Sequence, residues 1–589
     1  MATWARKIVV LGAVLALGGC AADAGLDGTE DGAGDTFVGA DGKADGTFND
    51  CEQREVLRFV NAPTTSVADL RATGLTSRAA SNVVTRRDGD DGLPGTDDDR
   101  PYASLQELDG VPYIGPASFR KLVARVQERC AAAPTGTAEV IFSPQPDAQT
   151  HTVRIAAEID RAERSLDIAM YSLSHAGVMS ALERAAARGV SIRMIFDPAG
   201  SERSSPAGTT SERLERMGVD VRWVNIVMHH KFLIVDGPRA DVAQADTALL
   251  VTGSGNWSSG AGTRYDENTV FLRGNAEAVL RFQREFNYVW ERSRALDLNP
   301  ALHQELSMAI TDDMLRDDPA LDAVYTSSNF RIFNSSLGPG FSVLPNHNAV
   351  ADRLVELIRG AEHSIWIASG HFASRPVAEA LLAKKRENPS IDIRIYVDGQ
   401  EYMSLATARS QETRQQTCVT AAGDDVVAQQ RCYDKDYIYA LTMHQAGIQT
   451  RYKYYAYRWD TSYALQMHHK YFIIDGRTLV SGSYNLSDNA EHNTIENIVV
   501  YESSGYADLI RAFEGNFTQM WETGRAEGRM ATFLAQVQTG SGPFPIVFEP
   551  MALDWNEVST LKSSIRIACP DINTAPFRDN PPAHRTCYR

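Results

Sequence analysis

Met228-His229-His230-Lys231-Phe232-Leu233-Ile234-Val235-Asp236 returns later in the chain as Met467-His468-His469-Lys470-Tyr471-Phe472-Ile473-Ile474-Asp475. No other stretch repeats so closely. Each copy is a short run of β-branched and aromatic residues, the composition of a strand, so successive side chains alternate between faces. His229 therefore shares a face with Lys231, and His468 with Lys470. Twice in one chain an imidazole is set beside an ammonium.

Each copy has a sequel. Gly253-Ser254-Gly255-Asn256 follows the first and Gly482-Ser483-Tyr484-Asn485 the second, and then come Glu267-Asn268 and Glu496-Asn497. The step from Asn to Glu is 11 residues in both halves, whereas the step from His to Asn is 27 in the first and 17 in the second. The extra ten residues fit a surface insertion around Gly237 to Asp246, rich in Ala, Asp and Pro.

The flanking sequence reads as two parallel α/β halves. In the first, Ile155, Ile159 and Ala162 have helical spacing, Leu166, Ile168 and Met170 alternate as a strand, Val178, Leu182 and Ala185 return to helix, and Val190 to Phe196 alternate again before Asp197. In the second, Val350, Leu354 and Ile358 mark a helix, Ser364 to Ser369 a strand, Val377 and Leu381 a helix, and Ile391 to Val397 the strand that ends at Asp398. Strands alternating with helices predict sheets covered by helices on both faces.

The duplicated His-x-Lys-x4-Asp followed by Gly-Ser-x-Asn resembles the signature of the phospholipase D superfamily, and the resemblance covers roughly residues 137 to 540. It implies an α/β fold of two layered α/β/α halves, 137–310 and 311–540, meeting at one cleft. The chemistry explains the duplication. Displacing an alcohol from a phosphodiester takes a nucleophile on one side of phosphorus and a proton donor on the other, and imidazole can serve in either form near neutral pH.

By the same resemblance His229 attacks to form a phosphohistidine, and His468 protonates the departing oxygen and later activates water or an acceptor alcohol. Lys231, Lys470, Asn256 and Asn485 would hold the nonbridging oxygens, with Ser254 and Ser483 as added hydroxyl donors. Glu267 and Glu496 would each hold the second nitrogen of a histidine. Asp236 and Asp475 complete the motif as loop anchors. No metal and no cofactor is expected. A zinc site of His229, His230, His468 and His469 is disfavoured because adjacent residues of a strand face opposite ways, which leaves His230 and His469 to packing or supporting roles.

Residues 1–20 carry Arg6-Lys7, an apolar stretch from Ile8 to Leu17 and Gly18-Gly19-Cys20. The apolar run is too short to span a bilayer and reads as a signal segment. Its ending resembles a bacterial lipobox, implying lipidation of Cys20 and an exported lipoprotein at the outer membrane, in the periplasm or on the cell surface. Residues 21–50 are Gly, Ala, Asp and Thr with almost no large apolar side chain, the composition of a tether. The other six cysteines suggest, by spacing, Cys51 with Cys130, Cys418 with Cys432 and Cys569 with Cys587, as structural disulfides of an oxidising compartment.

Residues 51–132 read as a small all-α module resembling tandem helix-hairpin-helix units, with hairpins at Leu70 to Leu75 and Leu108 to Pro116. Such hairpins present backbone N–H groups to phosphates, but a hairpin alone is a weak motif, so the module reads first as a structural spacer and second as the place for a nucleic-acid contact. The acidic run from Asp88 to Asp99 between them would repel DNA, bind Ca²⁺ or simply be solvated. From Gly399 to Gln466 an insertion holds Cys418, Cys432, Tyr433, Tyr437, Tyr439, Tyr452, Tyr454, Tyr455, Tyr457 and Trp459, and is expected to border the cleft; its aromatics suit a lipid interface or stacked bases, and packing of the loop is the favoured role. Residues 541–589 read as a C-terminal extension with no legible chemistry.

A net charge of −17 over 589 residues argues against a general polyanion binder. Three functions remain: a monomeric, metal-independent phosphodiesterase acting on phospholipid headgroups, an exported nuclease of the same superfamily, or a non-catalytic binding protein. The last would need a broken motif, and neither copy is broken.

Overall fold

The computed structural model describes residues 50–131, 136–456, 465–539, 547–570, 573–580 and 582, apart from positions 95, 97, 307, 317 and 436. Cys20, the 1–20 signal reading, the tether, Tyr457, Trp459 and Cys587 lie outside the described residues, as do the side chains of Cys51 and Cys130. Two compact units divide the described chain: residues 56–125, and residues 50–55 together with 126 onward.

The smaller unit is helical. Helices Val67–Ala72 and Ser77–Arg87 form one pair, and Leu105–Asp109 leads through a turn to Pro116–Ala131. Ser66, Thr76 and Ser104 cap their helices by accepting backbone N–H groups, and Leu70, Val83, Leu108, Phe119 and Leu122 fill the core. The acidic run is partly internal structure. Asp88 pairs with buried Arg87, which also donates to the carbonyls of Val60, Ala62 and Thr65, and Asp98 accepts the N–H groups of Asp90 and Asp91.

The larger unit contains two eight-stranded sheets of identical topology. Across the first run Thr137–Ser143, Glu267–Arg273, Leu249–Gly253, Lys231–Val235, Ser165–Met170, Ser191–Phe196, Val219–Trp223 and Arg294–Ala295. Across the second run Leu321–Tyr325, Asn497–Glu502, Thr478–Gly482, Lys470–Ile474, Ser364–Ser369, Asp392–Asp398, Gln449–Ala456 and Val547–Asp554. In each, three consecutive strands are parallel and the rest antiparallel.

Alternation decides which face each residue serves. Ile168, Ile192, Met194 and Leu233 pack outward against helices His151–Arg161 and Ala176–Ala187. Ala169, Ile195, Phe232 and Ile234 face inward. The second half repeats this, with Ile365, Ile367 and Phe472 outward and Ala368, Tyr471 and Ile473 inward. The inward faces, with helices Ala276–Glu291 and Ser503–Trp521, form one shared apolar core. That common core joins the two halves around the duplicated strands.

Three expectations need correction. The stretch around Gly237 to Asp246 is not merely a surface insertion, because Arg239 reaches back to buried Asp167 at 2.6 Å and Ala245 is buried. The insertion from Gly399 to Gln466 is shorter than its aromatic content suggests. Tyr452, Tyr454 and Tyr455 belong to the sheet strand Gln449–Ala456 and are buried, so among the described residues the added helices are Leu405–Ala422 and Val426–Asp434, before it. Finally, residues 541–589 are not simply an extension, since Val547–Asp554 pairs with Gln449–Ala456 as the last strand of the second sheet. Cys418 and Cys432 are bonded, with Cα atoms 5.6 Å apart, and join the two added helices. Cys569 is also disulfide-bonded.

Asp167 ties the first half together. Its carboxylate receives Arg193 at 2.7 Å, Arg239 at 2.6 Å and Gln283 at 2.9 Å. Burial alone would raise its pKa, but Arg239 and Arg193 hold it down at about 2. Its stabilising contribution is therefore present above the ordinary carboxyl value of 3.8 and is lost as pH falls through about 2. Asp167→Ala would leave two desolvated guanidinium groups facing each other. We expect a loss of about 3–5 kcal/mol, read as a lower urea midpoint at neutral pH.

Candidate active site

The two His-x-Lys strands meet where the halves cross. His229 N–H donates to Ile495 O at 3.1 Å, and His468 N–H to Asp266 O at 3.0 Å. Each histidine is thus laid against the residue just before the other half's glutamate, and the side chains follow. His229 Nδ1 lies 2.7 Å from Glu496 Oε1, and His468 Nδ1 lies 2.8 Å from Glu267 Oε1. The acid of each pair belongs to the opposite half. Strand alternation places His next to Lys, but only the crossing of the halves assigns the carboxylates.

Behind this pair lies a second crossed layer. Asn497 donates to His230 Nδ1 at 2.8 Å and Asn268 to His469 Nδ1 at 3.1 Å. With Nδ1 accepting, the proton of His230 sits on Nε2, which donates to Glu285 at 3.2 Å. Both residues are fully buried and face away from His229 and His468, as expected of neighbours on a strand.

Lys231 Nζ sits 3.1 Å from His229 Nε2 and 2.8 Å from His229 O, and Lys470 Nζ lies 2.7 Å from His468 O. Asn256 and Asn485 stand on the loops just after their strands, each with a buried Oδ1 that has no partner among the described residues. Ser254 and Ser483 depart from expectation. Both are fully buried, accept the backbone N–H groups of Asn268 and Asn497 at 3.0 Å, and stabilise the ionised forms of Glu267 and Glu496. Their hydroxyls are engaged by Asn268 and Asn497, next to the two carboxylates. Asp236 and Asp475 stand outside the site at the far ends of their strands. Both adopt left-handed backbone, φ 55° and 54°, and accept the N–H groups of residues 163–165 and 362–364.

Several residues of the site carried no signal in the motif. Asp197 and Asp398, at the ends of the neighbouring strands, accept the N–H groups of Met228 and Met467 at 2.9 and 2.8 Å and fix the entry to each histidine. His151 Nε2 donates to Asn256 O at 2.9 Å and holds that loop. The Tyr171 ring lies against His229 at 4.6 Å between centroids, with Lys231 Nζ 5.3 Å from its centre. The repeated Asp at the strand end was visible in the sequence, whereas His151 and Tyr171 have no counterpart in the second half.

Electrostatically the site wants an anion. Burial and the charges of Lys231 and Lys470 push His229 and His468 well below the ordinary imidazole range. Burial lowers Lys231 to about 7 and Lys470 to about 8, and raises Glu267 and Glu496 to about 7. A phosphodiester between the lysines would stabilise both ammonium groups and permit one imidazole to carry a proton. With Nδ1–H donated to Glu496, His229 Nε2 turns its lone pair toward Lys231 Nζ at 3.1 Å, and a phosphodiester that drew Lys231 to its own oxygens would release it as an oriented nucleophile.

The sign of the pH dependence follows. The glutamates must be ionised to orient the histidines, so activity falls as pH drops below about 7. The lysines must be protonated, so activity also falls as pH rises past about 7 to 8. We expect a narrow bell for kcat/KM. The alkaline limb of kcat should lie at higher pH, because bound phosphate raises the lysines. Superimposable alkaline limbs would contradict lysine–phosphate contact.

The family model described as cardiolipin synthase, PLD-like domain, matches residues 155–290 and 354–521. Mitochondrial cardiolipin hydrolases of Chlamydomonas reinhardtii and Drosophila melanogaster are 27% and 29% identical to this chain over 144 and 153 residues, 24% of this chain and 58% of each relative. A phospholipase D of Rickettsia conorii is 30% identical over 129 residues, 22% of this chain and 59% of that protein. The chain thus spans less than two thirds of the length of these relatives. Among solved structures, phosphatidylserine synthase of Haemophilus influenzae Rd KW20 covers 67% of this chain and 90% of its own at 13% identity and TM-score 0.41. Nuc of Salmonella typhimurium, a phospholipase D family member, covers 27% of this chain and 97% of its own at 25% identity and TM-score 0.22. With more than half of the chain matched and each histidine–lysine strand inside a matched segment, the chain belongs to the PLD-like domain family.

Proposed function

We propose that this protein is a phosphodiesterase of the phospholipase D type that cleaves or exchanges phospholipid headgroups through a phosphohistidine. The observation that carries this is the pair of crossed His–Glu dyads, 2.7 and 2.8 Å long, facing two buried lysines. In this reading His229 Nε2 attacks phosphorus, His468 delivers a proton to the departing oxygen, and the P–O bond to the alcohol breaks as the P–N bond forms. His468, now neutral, takes the proton of water or an acceptor alcohol, and attack of that oxygen returns His229. Lys231, Lys470, Asn256 and Asn485 neutralise the nonbridging oxygens. Export and a lipid anchor on Cys20 would put the enzyme at a membrane, and similarity to cardiolipin hydrolases and a phospholipase D favours lipid.

Positive charge at phosphorus comes from lysines in this scheme, so turnover needs no divalent ion. The test offers the pure protein phosphatidylcholine, phosphatidylglycerol, cardiolipin and single- and double-stranded DNA side by side, with and without EDTA. Lipid turnover unchanged by EDTA is the expected result. A nuclease reading is favoured by one feature, the hairpins of the smaller unit. DNA cleavage with a steep salt slope that vanishes on deleting residues 21–132, and no lipid turnover, would put it in place of the lipid reading.

A further inference from the structure

A further His–Glu dyad, His371 with Glu401, stands beside His468. Ser369 pairs with Lys470 in the antiparallel ladder, and Gly370 N–H donates to His469 O at 3.1 Å. The strand ends there, and His371 follows at the bend, where the chain passes the backbone of His468. The approach is close enough to require glycine at position 370, where a Cβ would lie 2.8 Å from Met467 O and 3.6 Å from His468 Cα.

His371 is held as the catalytic histidines are. Its Nδ1 lies 3.2 Å from Glu401 Oε1, while Glu401 Oε2 accepts Phe372 N–H at 3.1 Å. Glu401 is buried on the turn that follows strand Asp392–Asp398, whereas half of the His371 side chain is exposed. Its Nε2 has no partner among the described residues. The first half offers no equivalent. There Tyr171 N–H donates to His230 O, so the place that corresponds to His371 falls to Ser172. His371 lies near enough to both His229 and His468 to bear on their protonation, as expected for a group at the same cleft.

The chemistry at phosphorus occupies two histidines and leaves none for a third. A dyad whose carboxylate accepts Nδ1–H instead presents Nε2 as a hydrogen-bond acceptor. Since His468 protonates the departing oxygen, the alcohol attached to that oxygen lies on the same side as His371. We propose that His371, oriented by Glu401, is a specificity-determining residue that accepts a hydrogen bond from a hydroxyl of the departing headgroup alcohol. The favoured substrates are then phosphodiesters of polyols such as glycerol, and quaternary ammonium headgroups, which have no proton to donate, are disfavoured. This rests on the phospholipid reading above.

The test measures kcat/KM for phosphatidylglycerol, phosphatidylcholine and bis(p-nitrophenyl) phosphate in the full-length protein and in His371→Ala, His371→Gln and Glu401→Gln. The wild type should prefer phosphatidylglycerol over phosphatidylcholine by about tenfold or more, in line with one hydrogen bond to an otherwise unpaired group. His371→Ala should bring that ratio close to one, and His371→Gln, which keeps an acceptor, should retain part of it. Glu401→Gln should lower the ratio in the same direction. An unchanged ratio in His371→Ala overturns the proposal while leaving the phospholipid reading intact. Equal losses on all three substrates would make His371 part of the chemistry and also overturn it. Turnover of the chromogenic diester with neither phospholipid attacked by the wild type would overturn both.

Discussion

His229→Ala and His468→Ala should each lower kcat/KM on a phospholipid by about 10⁴-fold or more, and the double variant should lose little beyond the worse of the two. The crossed geometry is the reason. Each histidine is oriented by a carboxylate from the other half, and both lysines influence both imidazoles, so neither half holds a complete site. Members of one catalytic unit are strongly non-additive, because removing one already stops the step in which the other acts. Two independent sites would behave otherwise, each single variant keeping about half the activity and the double variant none. That outcome would sink the single-cleft model. Acid quench of a working enzyme on labelled substrate should place phosphate on His229, and label on His468 would exchange the two roles.

Much of this site was legible because a duplication shows itself in the sequence. The repeated strands, the matched 11-residue step to the glutamates and the alternation of apolar residues all have periods that can be read along the chain. The crossing was not legible, because it is set by backbone pairing between Met228–His229 and Ile495, and between Met467–His468 and Asp266, residues far apart in sequence. The serines show the limit from another side. A Gly-Ser-x-Asn loop looks the same whether its hydroxyl faces substrate or the fold, and only the structure shows Ser254 and Ser483 fully buried with the backbone N–H groups of Asn268 and Asn497 on their hydroxyls. Tyr452, Tyr454 and Tyr455 read as part of an aromatic loop because tyrosine suits a rim and a strand equally, and only pairing with Asp392–Asp398 assigns them to the sheet.

The crossing itself is open to a decisive measurement with an activated substrate. A p-nitrophenyl phosphodiester has a leaving group that needs no proton, so formation of phosphohistidine then depends on the nucleophile and its carboxylate, and not on the general acid. If Glu496 orients His229, Glu496→Gln should slow the release of the first p-nitrophenolate by about 10⁴-fold, the cost of a wrong tautomer in other triads. Glu267→Gln should leave that first release fast, because Glu267 holds His468. It should then stall, since His468 can no longer activate water, and phosphate should accumulate on His229. The expected pattern is therefore a burst without steady turnover in Glu267→Gln, and no burst in Glu496→Gln. Label on His468 in Glu496→Gln would keep the crossing and reverse which histidine attacks. A burst in Glu496→Gln with label on His229 would mean that the 2.7 Å contact between the halves does not govern the nucleophile, and the crossed assignment would have to be given up.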